Sequence, residues 1–509
     1  MLPRPSRPIR TLPSETEAER MFRWTLWLVF LVTLARLAWL AAGHTDLAPG
    51  EALYWAWSRT IATGYYAKPP MVAWIIAGST ALFHHSGPAV RLPAPLIQFA
   101  AALAIYGTAI RLYDARTAFW SAIAYATLIG VSYAGVIMSA EAPLVLAWAV
   151  ALYAFVRARE SGERRWWLLV GIAFGLGLLS QYAMIYWLAA ALIYVLAVPA
   201  ERRHLPMLLG AAALGLVIYS PNFLWNAAHG YVSYRDTEAM LGGMVVAPNP
   251  DFAFLGVQLA VFGPLFCGAF LAMLGLWRRA LSTPRTILLL TFTLVPLLAM
   301  LGWSFVSPTD ADWALPAYVA GTILVVGWLL AEGRRIVVII AIALNLVAAA
   351  VVMIGIRDIS VWVGMPVPVR LDPLHRLEGW RNLGRAVTSL LLQHPGALLL
   401  TDDRDLLATL MFYVRPPPVN AIEWNSGHTV RDQFALTQQP ALDLGADFLL
   451  VAKHSRDVKP ILARFARVGP PQTITVFVGS HGASKAAPPL MRRYKVYYLE
   501  GFKGFSPGG

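Results

Sequence analysis

Apolar runs of about 20 residues, each long enough to cross a bilayer as a helix, recur along the first 356 positions of this 509-residue chain. No other feature narrows the fold as much. Inside a bilayer every backbone N–H and C=O must be satisfied within the protein, so a chain patterned this way folds as a bundle of membrane helices. The runs are 24–42, then roughly 92–110, 117–136, 141–156, 166–180, 182–199, 205–220, 253–276, 286–304, 314–331 and 336–356, about eleven spans in all. Only 14% of the residues are charged, against roughly 25% in a soluble protein, so much of the surface meets something other than water.

The net charge of +13 would point to nucleic acid in a soluble protein. Here the arginines fall in short loops between apolar runs, and every second loop is basic. Arg111 and Arg116, then Arg157, Arg159, Arg164 and Arg165, then Arg202 and Arg203, then Arg278, Arg279 and Arg285, then Arg334 and Arg335 all come to one side, the cytoplasm. The expected partner of this charge is the lipid bilayer, not nucleic acid. The first run is too long for a signal-peptide core and follows a basic leader, so it is expected to stay as a first span with a cytoplasmic N-terminus. Segment 71–83 is apolar but too short to span. It is expected as an interfacial helix, because counting it as a span breaks the basic alternation from Arg111 onward.

From about residue 357 the apolar runs shorten and charge rises. The pattern predicts a helix over 379–392, a strand over 397–400, and Asp402 as N-cap of a helix reaching Phe412. Strands are predicted at 448–452, 473–478 and 493–499, with a helix between the first two. The expected architecture is mainly α: a polytopic membrane helix bundle with a small C-terminal α/β domain outside the cytoplasm. It divides into a basic leader (1–22), a membrane domain (23–356, with an outer loop at 43–91) and a soluble periplasmic domain (357–509). Residues 1–18 and 501–509 are expected to be disordered. The single cysteine, Cys267, excludes an intrachain disulfide. The chain has no convincing internal repeat, Walker motif, dinucleotide fingerprint, CxxC or HExxH.

The polar chemistry gathers on the non-cytoplasmic face. The outer loop holds Asp46, Glu51, a Trp- and Tyr-rich stretch that includes Tyr54, then Gly64-Tyr65-Tyr66-Ala67-Lys68-Pro69-Pro70. Aromatics at headgroup depth account for part of this, but not for Glu51 or Lys68. Prolines 69 and 70 suit the first turn of the following helix, which places Lys68 at that helix's N-terminus. An ammonium there is either an anion site or a snorkelling side chain. Glu141 stands at the outer end of a span, where a carboxylate is costly unless it is used or exposed. Two further clusters are Trp225-Asn226 with His229, followed by Arg235 and Asp236, and Asp310 to Trp313 with Asp312.

The order Glu-Ala-x-Tyr-Trp, Gly-Tyr-Tyr-x-Lys-Pro-Pro, then Arg91-Leu-Pro resembles the C-type-fold glycosyltransferases. The likeness is greatest to the branch with the aminoarabinose and galacturonic acid transferases of lipopolysaccharide, and extends more distantly to the protein O-mannosyltransferases. Trp225-Asn226, His229-Gly230, Asp312-Trp313, Gly379-Trp380 and Phe412-Tyr413 carry it along nearly the whole chain. The resemblance implies an enzyme of the bacterial inner membrane that moves a sugar from a polyprenyl-phosphate donor to an envelope lipid or glycan acceptor at the periplasmic face. Negative charge would build on the departing phosphate, to be met by Lys68, Arg91 and Arg235. Glu51, Glu141 and Asp46 are the expected catalytic carboxylates. Tyr54, Tyr65, Tyr66, Trp225, Asn226, His229, Asp312 and Trp313 are expected to touch substrate. The chain departs from the family at Gly50, where an Asp usually precedes the Glu, and at Ala67, where some relatives place a metal-binding Glu. No cofactor is certain, and Ala67 speaks against the divalent metal the resemblance would allow. Two other readings stay open: a flippase for lipid-linked sugar, and a non-catalytic relative that binds it.

Overall fold

The computed structural model describes residues 16–43, 45–242, 253–276, 283–305, 311–355, 373–418, 420–427, 430–437, 444–478 and 490–505. The expectations for residues 1–15, Asp310 and 506–509 lie outside them. Helix α1 (Glu17–Ala42) begins before the first apolar run does. Its N-terminus is a capping box: Glu19 N–H donates to the Thr16 hydroxyl at 3.2 Å, and Thr16 N–H donates to the Glu19 carboxylate at 2.9 Å. There follow α2 (Pro49–Ser58), α3 (Met71–Phe83), α4 (Gly87–Arg91), α5 (Pro93–Leu112), α6 (Ala115–Thr127), α7 (Ile129–Ala134), α8 (Glu141–Ser161), α9 (Arg164–Ser180), α10 (Ile185–Ala197), α11 (Leu205–Ala228), α12 (Val232–Gly242), α13 (Ala253–Phe262), α14 (Pro264–Gly275), α15 (Pro284–Ser304), α16 (Leu315–Ala331) and α17 (Arg335–Ile354).

Among the described residues, 6 helical stretches are long and apolar enough to cross a membrane, or 7 if the bent pair α13–α14 is one span. Several expected spans are broken or shorter, and local chemistry explains how. Run 117–136 divides at Leu128 into α6 and α7. The buried Arg36 guanidinium of α1 donates to the Ala126 carbonyl at 2.6 Å and the Ser132 hydroxyl at 3.2 Å, satisfying a helix end inside the bundle. Run 253–276 bends by 109° between α13 and α14. The bend is at Gly263, whose φ of +89° only glycine adopts readily, and Pro264 starts the new helix. Helix α11 continues past 220 through Pro221, because the Ser220 hydroxyl donates at 2.7 Å to the Val217 carbonyl that the proline cannot serve.

Small residues let α9 and α11 cross closely. A Cβ on Gly171 would stand 2.7 Å from the Ala211 carbonyl oxygen, and one on Gly175 would stand 2.8 Å from that of Gly215. Behind them, Trp187 meets Phe155 and Phe292 edge to face, with Trp187 and Phe292 centroids 5.3 Å apart. Helices α8 and α16 run through the middle of the bundle, buried on nearly every face.

The C-terminal part adds α18 (Trp380–Gln393), α19 (Arg404–Tyr413), α20 (Gln433–Thr437) and α21 (Lys459–Leu462). Its strands are β1 (Leu398–Thr401), β2 (Ile422–Glu423), β3 (Phe448–Lys453), β4 (Phe465–Val468), β5 (Gln472–Val478) and β6 (Leu490–Phe502). They form one sheet ordered β2-β1-β3-β6-β4, with β5 also on β6. β1 runs parallel to β2 and β3, while β6 is antiparallel to β3, β4 and β5. The uninterrupted apolar run of β3 follows from burial on both faces. β2 and β4 were not foreseen: one is two residues long, and the other is four residues long with only Phe465 buried. The N-cap of α19 is Asp403 rather than Asp402, with its carboxylate accepting from Leu406 N–H at 2.9 Å. Part of the expected disordered tail is ordered, since Phe502 closes β6 and Phe505 packs 5.1 Å from Trp424.

The sheet region lies on the first outer loop. Trp55 of α2 meets Phe412 of α19 edge to face at 4.9 Å. Leu47, Ala52, Trp55, Val72 and Ile76 share one hydrophobic core with Trp380, Leu383, Leu406 and Leu407. This packing fixes the loop that carries most of the expected site.

Candidate active site

Glu51, Arg91 and Asp46 form the frame of the outer loop. Glu51 sits in the first turn of α2, and its carboxylate accepts from Arg91 at 2.8 and 2.6 Å, Ala48 N–H at 2.8 Å and Met138 N–H at 3.0 Å. The Arg91 guanidinium, at the end of α4, also donates to the Thr45 hydroxyl at 2.9 Å and the Asp46 carbonyl at 2.7 Å. Their side chains are 3% and 2% exposed. The structure therefore gives a closed ion pair where the sequence suggested a free catalytic carboxylate and a phosphate-binding cation. Asp46 is engaged as well: its carboxylate accepts from Arg381 N–H at 3.0 Å, and its own N–H donates to the Leu377 carbonyl at 2.7 Å.

A second layer of contacts shapes the turn before Lys68. Tyr65 stacks on Trp57 at 5.1 Å and turns its hydroxyl inward to the Thr60 carbonyl at 2.9 Å. Tyr54 packs against the same tryptophan at 5.3 Å. Gly64 leaves room for Trp225, whose Cδ2 would lie 2.6 Å from a Cβ there. Asn226 is fully buried and accepts from Ser233 N–H at 3.2 Å, while the Ser233 hydroxyl donates to the Tyr65 carbonyl at 2.8 Å. Tyr65, Trp225 and Asn226 thus hold the loop against the end of α11. His229 stacks on Trp225 at 4.2 Å, exposed on the rim, and Arg235 is exposed on α12.

Lys68 is the centre of the arrangement. Its ammonium donates at 3.1 Å to Gln181 Oε1, and Gln181 Nε2 donates at 2.7 Å to Glu141 Oε1. One amide therefore links a half-buried cation to a buried carboxylate, and the two contacts fix which end of the amide faces which group. The Trp313 ring lies 5.4 Å from the ammonium. Tyr66 N–H, two residues before Lys68, donates to Gln433 Oε1 at 2.7 Å, tying the loop to α20. The structure brings Lys68, Glu141, Trp313 and Tyr66 together. The side chain of Asp312 lies outside the described residues.

The structure adds residues that sequence reasoning did not assign to the site. Gln181 occupies the short break between the apolar runs of α9 and α10, and that position is the one signal of its role. The charges of Asp236, on α12, and Arg404, in the first turn of α19, both act on Tyr66, and nothing in the sequence brings them together. Burial pushes the Asp236 carboxyl up, against the opposing pull of Arg404 and then Lys68. Burial, then Asp236 and Asp432, push the Tyr66 phenol up, and Arg404 lowers it. Among the described residues no three His, Cys, Asp or Glu side chains are set to hold a metal ion, and Ala67 supplies no ligand beside Lys68. No step is assigned to a metal.

Residues 67–225 match the family model described as dolichyl-phosphate-mannose-protein mannosyltransferase. The chain is 30% identical over 398 residues to the lipid A galacturonosyltransferase RgtD of Rhizobium johnstonii, covering 75% of this chain and 80% of that protein. It is also 30% identical over 186 residues to the lipopolysaccharide core galacturonosyltransferase RgtA of the same organism, covering 35% of this chain and 37% of that one. In fold it is similar to ArnT from Cupriavidus metallidurans bound to undecaprenyl phosphate, with a TM-score of 0.60, 18% identity, and coverage of 94% of this chain and 97% of that one.

Proposed function

The chain belongs to the C-type-fold family of membrane glycosyltransferases that use polyprenyl-phosphate-linked sugars, and on that premise we propose that it transfers a uronic acid to a lipid A-type acceptor at the periplasmic face of the inner membrane. It is an enzyme that moves a sugar from a lipid-phosphate donor to an envelope acceptor. The likeness to RgtD supports the choice of sugar and acceptor. The alternation of arginine-rich loops supports a cytoplasmic N-terminus, a periplasmic C-terminal domain over 357–509 after a membrane domain over 23–356, and about eleven passes in which the shorter apolar helices also cross.

The observation that carries the mechanism is the Lys68–Gln181–Glu141 chain. An ammonium has three N–H donors, and Gln181 takes one. The others are free for the oxygens of the donor phosphate. As the glycosidic bond breaks, charge collects on that phosphate, and a cation held in place beforehand lowers the barrier without reorganising. Glu141 acts through the amide: it fixes Gln181, and Gln181 fixes the ammonium. The half-buried Trp313 ring lies beside the ammonium and suits a sugar face, while Tyr66 is buried. In this reading Glu51, Arg91 and Asp46 hold the loop and do not meet substrate.

Deleting the gene and recording the mass spectrum of lipid A tests the proposal. The expected result is loss of one hexuronosyl unit, restored by the wild-type gene and not by Lys68→Ala. A spectrum unchanged by the deletion overturns the choice of sugar and acceptor.

A further inference from the structure

We infer that Ser233 and Gln433 are positioning residues that aim Lys68 by clamping the Tyr65–Tyr66 peptide from both sides, an inference that rests on the transfer reaction proposed above. The Tyr65 carbonyl accepts from the Ser233 hydroxyl at 2.8 Å, and Tyr66 N–H donates to Gln433 Oε1 at 2.7 Å. These two backbone groups belong to one peptide unit. It is planar and trans, so its C=O and N–H point in opposite directions. Ser233, in the first turn of α12, and Gln433, which opens α20, therefore grip it from opposite sides. Their grip fixes the rotation of the peptide plane as well as its place. Tyr65 N–H in turn donates to the Lys68 carbonyl at 3.3 Å, so the setting of this peptide passes to the residue that carries the ammonium.

Each side of the clamp is braced. Ser233 is fully buried, and its N–H donates to Asn226 Oδ1 at 3.2 Å. Asn226, also fully buried, donates from Nδ2 to the Asn222 carbonyl at 3.2 Å. Asn222 Nδ2 donates at 2.8 Å to the Thr63 carbonyl of the same outer loop. The chain reaches Ser233 through Gly230 and Tyr231, both left-handed at φ +65° and +59°, a conformation that strains a tyrosine. On the other side Asp432 caps α20 by accepting from Ala435 N–H at 2.8 Å, and Gln433 is 7% exposed. Polar groups buried this deeply hold one geometry, because each loses its partner if it moves. Neither residue is required to touch substrate. Their effect on transfer runs through the Lys68 ammonium, and Gln433 gives the C-terminal part of the chain a share in it.

The test uses the full-length protein in lipid vesicles, with polyprenyl-phosphate-linked galacturonic acid as donor and lipid A as acceptor. Ser233→Ala and Gln433→Leu are each expected to lower kcat by about 10²-fold, the loss that follows a misplacement of about 1 Å. Ser233→Thr and Gln433→Glu, which keep the hydroxyl and the acceptor oxygen, should recover most of it. A residue that merely supports the fold adds its cost to that of any distant change, whereas one acting through Lys68 has little left to lose once the ammonium is gone. In Lys68→Ala protein, with residual turnover read at long incubation, neither Ser233→Ala nor Gln433→Leu should lower kcat by more than about 2-fold. Full additivity in that background overturns the inference, as does wild-type kcat in either single variant. If Ser233→Ala fails to fold, Ser233→Cys, which keeps a side chain there with a weaker donor, carries the same cycle. Failure of the wild type to transfer any sugar would instead overturn the proposed function, so the two are separable.

Discussion

Lys68 and Arg91 are cations of one outer loop with opposite surroundings. The Arg91 guanidinium is closed on Glu51 at 2.6 Å with both side chains almost fully buried, whereas Lys68 keeps a half-buried ammonium with a single amide acceptor. Removing one partner of a buried pair leaves a charge without compensation and costs about 3–5 kcal/mol. Removing a preorganised cation that faces developing charge costs about 10²–10³-fold in kcat instead. Arg91→Ala should therefore lower the Tm of the purified protein sharply. Lys68→Ala should leave Tm in place and lower turnover. Thermal unfolding read beside donor turnover checks both, and the reverse pattern would exchange their roles. Sequence could single out Lys68 from its Lys-Pro-Pro setting, although Pro70 caps α3 and does not enter its first turn, so Lys68 stands two residues before that cap. It could not show that Arg91 folds back on Glu51, since residue types alone do not tell a closed ion pair from an open one. Gln181 and Arg404 were illegible for a related reason: a single polar residue acquires a role only when three distant segments meet.

At the scale of elements, α2 and α19 hold the loop to the sheet, and α20 reaches it through Gln433. The N-terminal side of α20 carries a buried carboxyl pair. Burial first, then Asp432, pushes the Glu423 carboxyl up to about 8, while Arg431 and Arg404 pull it down. A carboxyl raised in the folded state contributes stability below its unfolded value of 4.5, and that stability is lost as pH rises through about 8. Wild-type Tm should accordingly fall between these two values. Glu423→Gln, which keeps the shape and supplies a permanent donor to Asp432, should flatten that fall and raise Tm on the alkaline side. An unchanged slope would mean that the pair does not share a proton. The helix over 71–83 was legible because its apolar run has the bounds of the element itself, Met71–Phe83. The 109° bend in 253–276 was not, because Gly263-Pro264 inside an apolar run reads equally as a kinked span. At that bend Gly263 meets the Asn345 amide, and Gln258 accepts from the Tyr318 hydroxyl at 2.7 Å.

Across the whole molecule, apolar periodicity made the helical bundle legible, and the fall in apolar run length after 356 marked where strands begin. The order of the sheet was hidden, since β2 and β4, at two and four residues, are too short to announce themselves. The bundle sets α8, the end of α9 and the outer loop so that Glu141, Gln181 and Lys68 meet, and Gln433 of α20 holds the same loop by accepting from Tyr66 N–H. The most direct measurement is transfer by the purified protein in vesicles that hold polyprenyl-phosphate-linked galacturonic acid and lipid A, read as product mass. The expected result is lipid A gaining one hexuronosyl unit with wild-type protein and essentially none with Lys68→Ala. Transfer that persists undiminished in Lys68→Ala would contradict catalysis centred on the Lys68–Gln181–Glu141 chain.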